Sequence, residues 1–263
     1  MESPSAPEKS SVDPPVHDPS RPPALEFSMG VALFAMVIIV FFLVQAIALV
    51  HGIAARTPEL ADASFSFSWF EDPLFQQRLK DLGFNGDLVG MESAWSGGIC
   101  TALILLVTWL WKRDRQTDLL GLRVPPIKHI LKWGGLFMLM LLAIEGIARV
   151  FPVFDTDFME QVVGSTTNFP LLILGVVILG PLFEEFLLRG LLYGSLRHIV
   201  DENVSVALTA GVFALMHLQY SIPIMLLILP MGVVLGYARA RSGSIWVPVL
   251  LHMANNGLSV LWP

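Results

Sequence analysis

Glu184, Glu185 and Arg189 stand within Gly180-Pro181-Leu182-Phe183-Glu184-Glu185-Phe186-Leu187-Leu188-Arg189-Gly190, a run that otherwise reads as membrane-spanning. A charge at the bilayer centre costs roughly 3 kcal/mol on insertion scales, so ionisable residues there are functional candidates by default. Two later apolar segments add imidazole and amide groups: His217 on one, His252 with Asn255 and Asn256 on the other. A carboxylate, two imidazoles and an amide supply a base, an acid and oxyanion donors, the parts of a hydrolytic site. Adjacent glutamates on a helix point about 100° apart and cannot share one task. Arg189 follows Glu185 by one helical turn, so those two are expected to pair, leaving Glu184 free to act. Counted from the turn near Val200 and Asp201, Glu184 and His217 each lie about 17 residues away, which sets them at one level if both helices run unbroken. His252 and Asn256, four apart, share a helix face. Singly, each piece also has a structural reading: a buried ion pair, a hydrogen-bonded core histidine, an interhelical amide.

The elements that must position these groups are membrane helices. Hydrophobic residues make up 54% of the 263-residue chain and charged residues 14%, and mean hydropathy is +0.67, far from the roughly 25% charged content of soluble domains. The expected fold is all-α: a polytopic transmembrane helix bundle of about seven spans, six to eight by length, with an active-site cavity inside the membrane. No basic stripe suits a nucleic acid, and the single Cys100 excludes an intrachain disulfide. Residues 1–28, rich in Pro with Ser and acid, read as a disordered cytoplasmic tail. Residues 29–169 read as amino-terminal spans, near Met29–His51, Trp95–Trp111 and Trp133–Phe151, with a long aromatic-rich loop over 54–94 that includes a short helix at Pro73–Leu82. Residues 170–263 read as the catalytic core, with spans near Pro170–Ile199, Val204–Tyr220, Ile222–Ala240 and Trp246–Trp262. Lys112 through Lys132 is the densest basic segment, and Arg197, Arg239 and Arg241 fall on the same side by alternation. The positive-inside rule then places the amino terminus in the cytoplasm. Glu145 and Arg149, four apart, read as an ion pair near a membrane boundary. Phe151–Phe169, with Asp155, Asp157 and Glu160 but no Lys or Arg, reads as non-cytoplasmic.

Glu184-Glu185-x-x-x-Arg189, Phe213-x-x-x-His217 and His252-x-x-x-Asn256, in this order on successive hydrophobic segments, resemble the three signature motifs of the CAAX protease and bacteriocin-processing (CPBP) intramembrane protease family. The resemblance covers about Pro170 to Leu261. It implies a helix bundle around a water-accessible cavity in which a peptide bond is hydrolysed. Carried over by residue, Glu184 and His217 would activate water, and His252 and Asn256 would stabilise the oxyanion. Glu185, Arg189 and Phe213 would support the site. The expectation is hydrolysis with no cofactor required; the alternative is zinc held by Glu184, His217 and His252 as a Glu-plus-two-His set, although no HExxH helix is present. The implied partners are the lipid bilayer and a peptide or protein substrate, lipidated or otherwise membrane-associated. The compact chain looks like a prokaryotic member, resident in the cytoplasmic (inner) membrane. Two rival classes are a non-proteolytic membrane binding or immunity protein and a proton-coupled transporter in which Glu184 and His217 relay protons; the lack of a visible internal repeat counts against the second.

Overall fold

The structure, a computed structural model, describes residues 23–61, 65–154, 157–218 and 220–263, and among these all regular structure is helical. The expected tail therefore lies outside the described residues as far as position 22. Its last part belongs instead to α1, Pro23–Ala55, which starts before the expected Met29 and carries its apolar run for 33 residues. The long loop is mostly short helices. A single turn, α2, covers Pro58–Ala61, a 3-10 turn covers Phe67–Glu71, and α3 covers Pro73–Leu82, as the sequence predicts. Asp72 starts α3 by accepting a hydrogen bond from the Leu74 N–H, with Pro73 at the first helical position, where its missing N–H costs nothing. Trp69 and Phe75 are buried against Ile53, Leu60 and Leu88, which fastens this segment to the end of α1.

Helix α4, Gly86–Lys112, begins nine residues before the expected Trp95 because the Asn85 side chain caps it by accepting from the Leu88 N–H. It is followed by α5, Gln116–Leu120, and by α6, Ile127–Val150. Arg149 and Glu145 pair at 2.7 Å on the exposed face of α6. The acidic segment that follows is not wholly loop: α7 covers Phe158–Gly164, while Asp155 lies outside the described residues. The site-bearing helix, α8, runs from Phe169 to Leu196. After it come α9, Glu202–Leu215, α10, Ile222–Ser242, and α11, Trp246–Leu261. Gly243, at φ +68°, ends α10 in the left-handed conformation that glycine adopts without strain.

The helices centred on α1, α4, α6, α8 and α10 are long and apolar enough to cross a membrane. The expected seven spans thus resolve into these five and two shorter helices, α9 and α11, of 14 and 16 residues. At 1.5 Å per residue the shorter pair reaches about 21 and 24 Å, less than the ~30 Å hydrocarbon thickness. The molecule is an integral membrane protein built as a polytopic helical bundle.

Small residues set its closest packing, as expected where lipid supplies no hydrophobic drive between helices. A Cβ on Gly175 of α8 would lie 2.1 Å from the Gly90 carbonyl oxygen of α4, and one on Gly97 of α4 would lie 2.5 Å from the Leu179 oxygen. Gly232 and Gly236 seat α10 against Ala210 and Val206 of α9. Leucines of α8 fill both sides of this helix: Leu187 and Leu191 pack with Cys100, Ile104 and Phe183, and Leu188 and Leu192 with Phe213, Leu235 and Leu251.

Candidate active site

The local structure of α8 follows from Pro181. A proline inside a helix returns no N–H and crowds the preceding turn, and one relief is the wider π-helix, which often marks functional sites. Ile173–Leu179 is π-helical, Gly180–Glu185 returns to α, and Phe186–Leu192 is π-helical again. Glu184 and Glu185 therefore end a short α-helical stretch between two wide ones. In the first π segment the Gly180 N–H donates to the Gly175 oxygen, an offset that would match Pro181 with Val176. Pro181 has no N–H to donate. The Val176 oxygen accepts instead from the Asn256 side-chain amide at 2.9 Å, so a residue of the third motif satisfies a carbonyl freed in the helix of the first.

Glu185 and Arg189 are fully buried and pair at 2.9 Å. Arg189 also donates to the Gly232 oxygen of α10 at 2.8 Å, and its guanidinium lies 4.7 Å from the Phe213 ring centroid. The same glutamate oxygen lies 3.0 Å from Nδ1 of His252. A carboxylate paired with arginine is an acceptor, so His252 Nδ1 carries the hydrogen and its Nε2 points the other way. That nitrogen lies 4.0 Å from Glu184 Oε2, beyond hydrogen-bonding distance. Glu184 Oε2 is buried with no hydrogen-bond partner among the described residues. His252 thus sits between the two glutamates.

His217 lies just beyond the end of α9, in a turn rather than on the helix as expected. Its Nδ1 is 2.8 Å from the Phe213 carbonyl oxygen. A carbonyl only accepts, so Nδ1 donates, and Nε2 is the basic nitrogen of the neutral ring. The Phe213 ring meets His217 at 4.8 Å and His252 at 5.3 Å, which joins the second motif to the other two.

Glu184, His217, Asn255 and Asn256 line one cavity of about 350 Å³, roomy enough for several waters at about 30 Å³ each. His252, 1% exposed, is sealed behind it, although the resemblance groups it with Asn256 at the oxyanion. Tyr220 and Phe158 also line the cavity, and neither was singled out from the sequence. Tyr220 stands three residues after His217 and stacks on it at 6.3 Å, while Phe158 meets the Tyr220 ring at 5.1 Å. Burial, with the Glu184 charge second, pushes the Tyr220 hydroxyl up to about 12, so it remains a neutral O–H donor. Arg239, counted from sequence as a loop charge, is buried and donates to the Arg189 oxygen at 3.1 Å.

Glu184, His217 and His252 do not fit a zinc site as placed. Among the described residues no three His, Cys, Asp or Glu side chains converge as metal ligands.

Fold and site together define a class: an integral membrane protein whose helices surround a largely apolar cavity carrying acid, imidazole and amide groups. Residues 166–258 match the family model described as Type II CAAX prenyl endopeptidase Rce1-like, a segment that contains all three motifs. The chain is 26% identical over 152 residues to the "Membrane-embedded CAAX protease MroQ" of Staphylococcus aureus (strain USA300), covering 52% of this chain and 60% of that relative. It is 23% identical over 182 residues to the "Putative membrane peptidase YdiL" of Bacillus subtilis (strain 168), covering 65% of this chain and 71% of the relative. No solved structure matches. These matches support a membrane peptidase.

Proposed function

We propose that the protein is an intramembrane endopeptidase that hydrolyses a peptide bond of a membrane-associated or lipidated protein or peptide. The observation that carries this reading is the unpartnered Glu184 Oε2 at a cavity shared with His217 and Asn256. Glu184 takes a proton from a water that His217 Nε2 helps to orient, and the resulting hydroxide adds to the scissile carbonyl carbon. The second amide hydrogen of Asn256 faces the oxyanion, since the first is given to Val176. Glu184 then passes its proton to the departing nitrogen, which leaves as the amine. The burial of His252 supports a different share for it from the one the resemblance implies. Held by Glu185 at 3.0 Å, it acts as a positioning residue that fixes the buried side of the site behind Glu184.

The test compares the termini of membrane proteins in cells carrying the wild type or Glu184→Gln. Cleaved termini are expected only with the wild type, and purified Glu184→Gln should lose about 10²–10⁴-fold of its rate, the usual worth of a general base. Cleavage persisting in both Glu184→Gln and His217→Ala would overturn the proposal. A biological effect unchanged in both variants would favour the binding or immunity reading. We also propose that hydrolysis needs no metal. Activity should survive chelation, and loss on chelation with recovery on adding zinc would reverse that view.

A further inference from the structure

The cavity occupies one end of the bundle. Its walls include Val89 and Ser93 near the start of α4, Phe158 of α7, Val176 in the first half of α8, Ile224 near the start of α10 and Ser259 near the end of α11. Because the helices alternate in direction, all these positions fall toward the same end, the one that carries α2, α3 and α7. Toward the other end the described residues are packed. Beyond Glu184, α8 buries Leu187, Leu188 and Leu191 and the Glu185–Arg189 pair.

The two ends differ in basic charge. At the packed end lie Lys112, Arg113, Arg115, Arg123, Lys128, Lys132, Arg197 and Arg241, whereas the cavity end has Arg56, Arg78, Lys80 and Arg149. Lys and Arg in short loops set membrane orientation, and acidic residues contribute little. The packed, basic end therefore faces the cytoplasm. We infer that the cavity opens at the non-cytoplasmic face of the membrane, and that its substrate is a peptide whose scissile segment lies on that side, the outward part of a translocated or membrane-anchored chain rather than a cytosolic tail. That a peptide is cleaved there rests on the proposed peptidase activity; the sidedness does not.

Single-cysteine labelling in intact bacterial cells tests the sidedness without any assay of activity. The wild type, with its one buried Cys100, is the blank. Glu160→Cys places a thiol at an exposed position of α7 at the cavity end, and Thr117→Cys places one at an exposed position of α5 at the basic end. A membrane-impermeant maleimide should label Glu160→Cys in intact cells and Thr117→Cys only after lysis. The reverse pattern, or equal labelling of both in intact cells, would overturn the inference. A third variant, Ser93→Cys, tests the cavity itself: a small impermeant thiosulfonate should reach it from outside, and protection until lysis would overturn the proposed opening. If labelling is as expected and no cleavage is ever found, the peptidase reading fails while the sidedness stands.

Discussion

At the residue scale the two adjacent glutamates live in different environments, and their variants should separate. Glu185 is fully buried between Arg189 and His252, whereas the Glu184 side chain is 21% exposed to the cavity. Removing one member of a buried pair strands the other charge and costs about 3–5 kcal/mol, while replacing both with apolar groups is often nearly neutral. Glu185→Gln should therefore lower the detergent-solubilised Tm well below that of Glu184→Gln, and Glu185→Gln combined with Arg189→Met should recover part of the loss. Additive losses in the double variant would show that the pair is not coupled. Tyr220 supplies a test on the pH axis. The folded protein keeps its hydroxyl protonated to about 12, whereas an unfolded tyrosine ionises near 10. The unfolded chain then binds fewer protons than the folded one between those values, so this contribution to stability is complete below about pH 10 and lost as pH rises toward 12. Tyr220→Phe should flatten that part of a stability profile, and an unchanged slope would mean that the hydroxyl is not so buried.

At the element scale the shape of α8 depends on its neighbour. Gly90, Gly97 and Gly175 bring the backbones of α4 and α8 into direct contact, and the π segments that flank Glu184 and Glu185 lie along this seam. Gly175→Ala puts a methyl where only the Gly90 carbonyl oxygen fits, with no flexible side chain to yield. It should cost more stability and activity than Gly146→Ala, where a Cβ meets nothing within 4 Å; similar thermal melts for the two would contradict this packing. Local sequence periodicity made the helices legible, along with the Glu185–Arg189 turn and the common cavity of Glu184 and His217. Caps hidden in a polar loop blurred the boundaries: Asn85 starts α4 early, and α9 stops at Leu215, before His217. The link from Asn256 to Val176 was not legible, because it needs both the π register imposed around Pro181 and the approach of a helix eighty residues away. The His252–Glu185 contact was hidden for a similar reason. Spacing put His252 beside Asn256 on one face, yet which of the two faced the cavity depended on how α11 rotated against α8.

At the scale of the whole molecule the bundle is uneven in height. Helix α1 has 33 residues, about 50 Å at 1.5 Å each, whereas α9 has 14 and stops about 9 Å short of a ~30 Å hydrocarbon layer. The shortfall falls at the cavity, because the turn that carries His217 and Tyr220 directly follows α9. Around this turn Leu215, Leu218, Ile222 and Leu226 are exposed, so the wall that presents His217 and Tyr220 to the cavity is apolar outside. A bilayer meeting a short apolar wall thins locally, at a cost of fractions of a kcal/mol per Å of mismatch. Thinning brings water and headgroups down to the His217 turn, which suits a reaction that needs water and a membrane-held chain in the same cavity. Reconstituted activity should therefore be higher in dimyristoyl than in dierucoyl phosphatidylcholine, and extending the apolar wall with Ser221→Leu should reduce the difference. Activity that stays level or rises as the bilayer thickens would mean that substrate and water reach Glu184 only through the open end of the bundle, past Phe158 and Ser259, and that the short wall at α9 plays no part in admission.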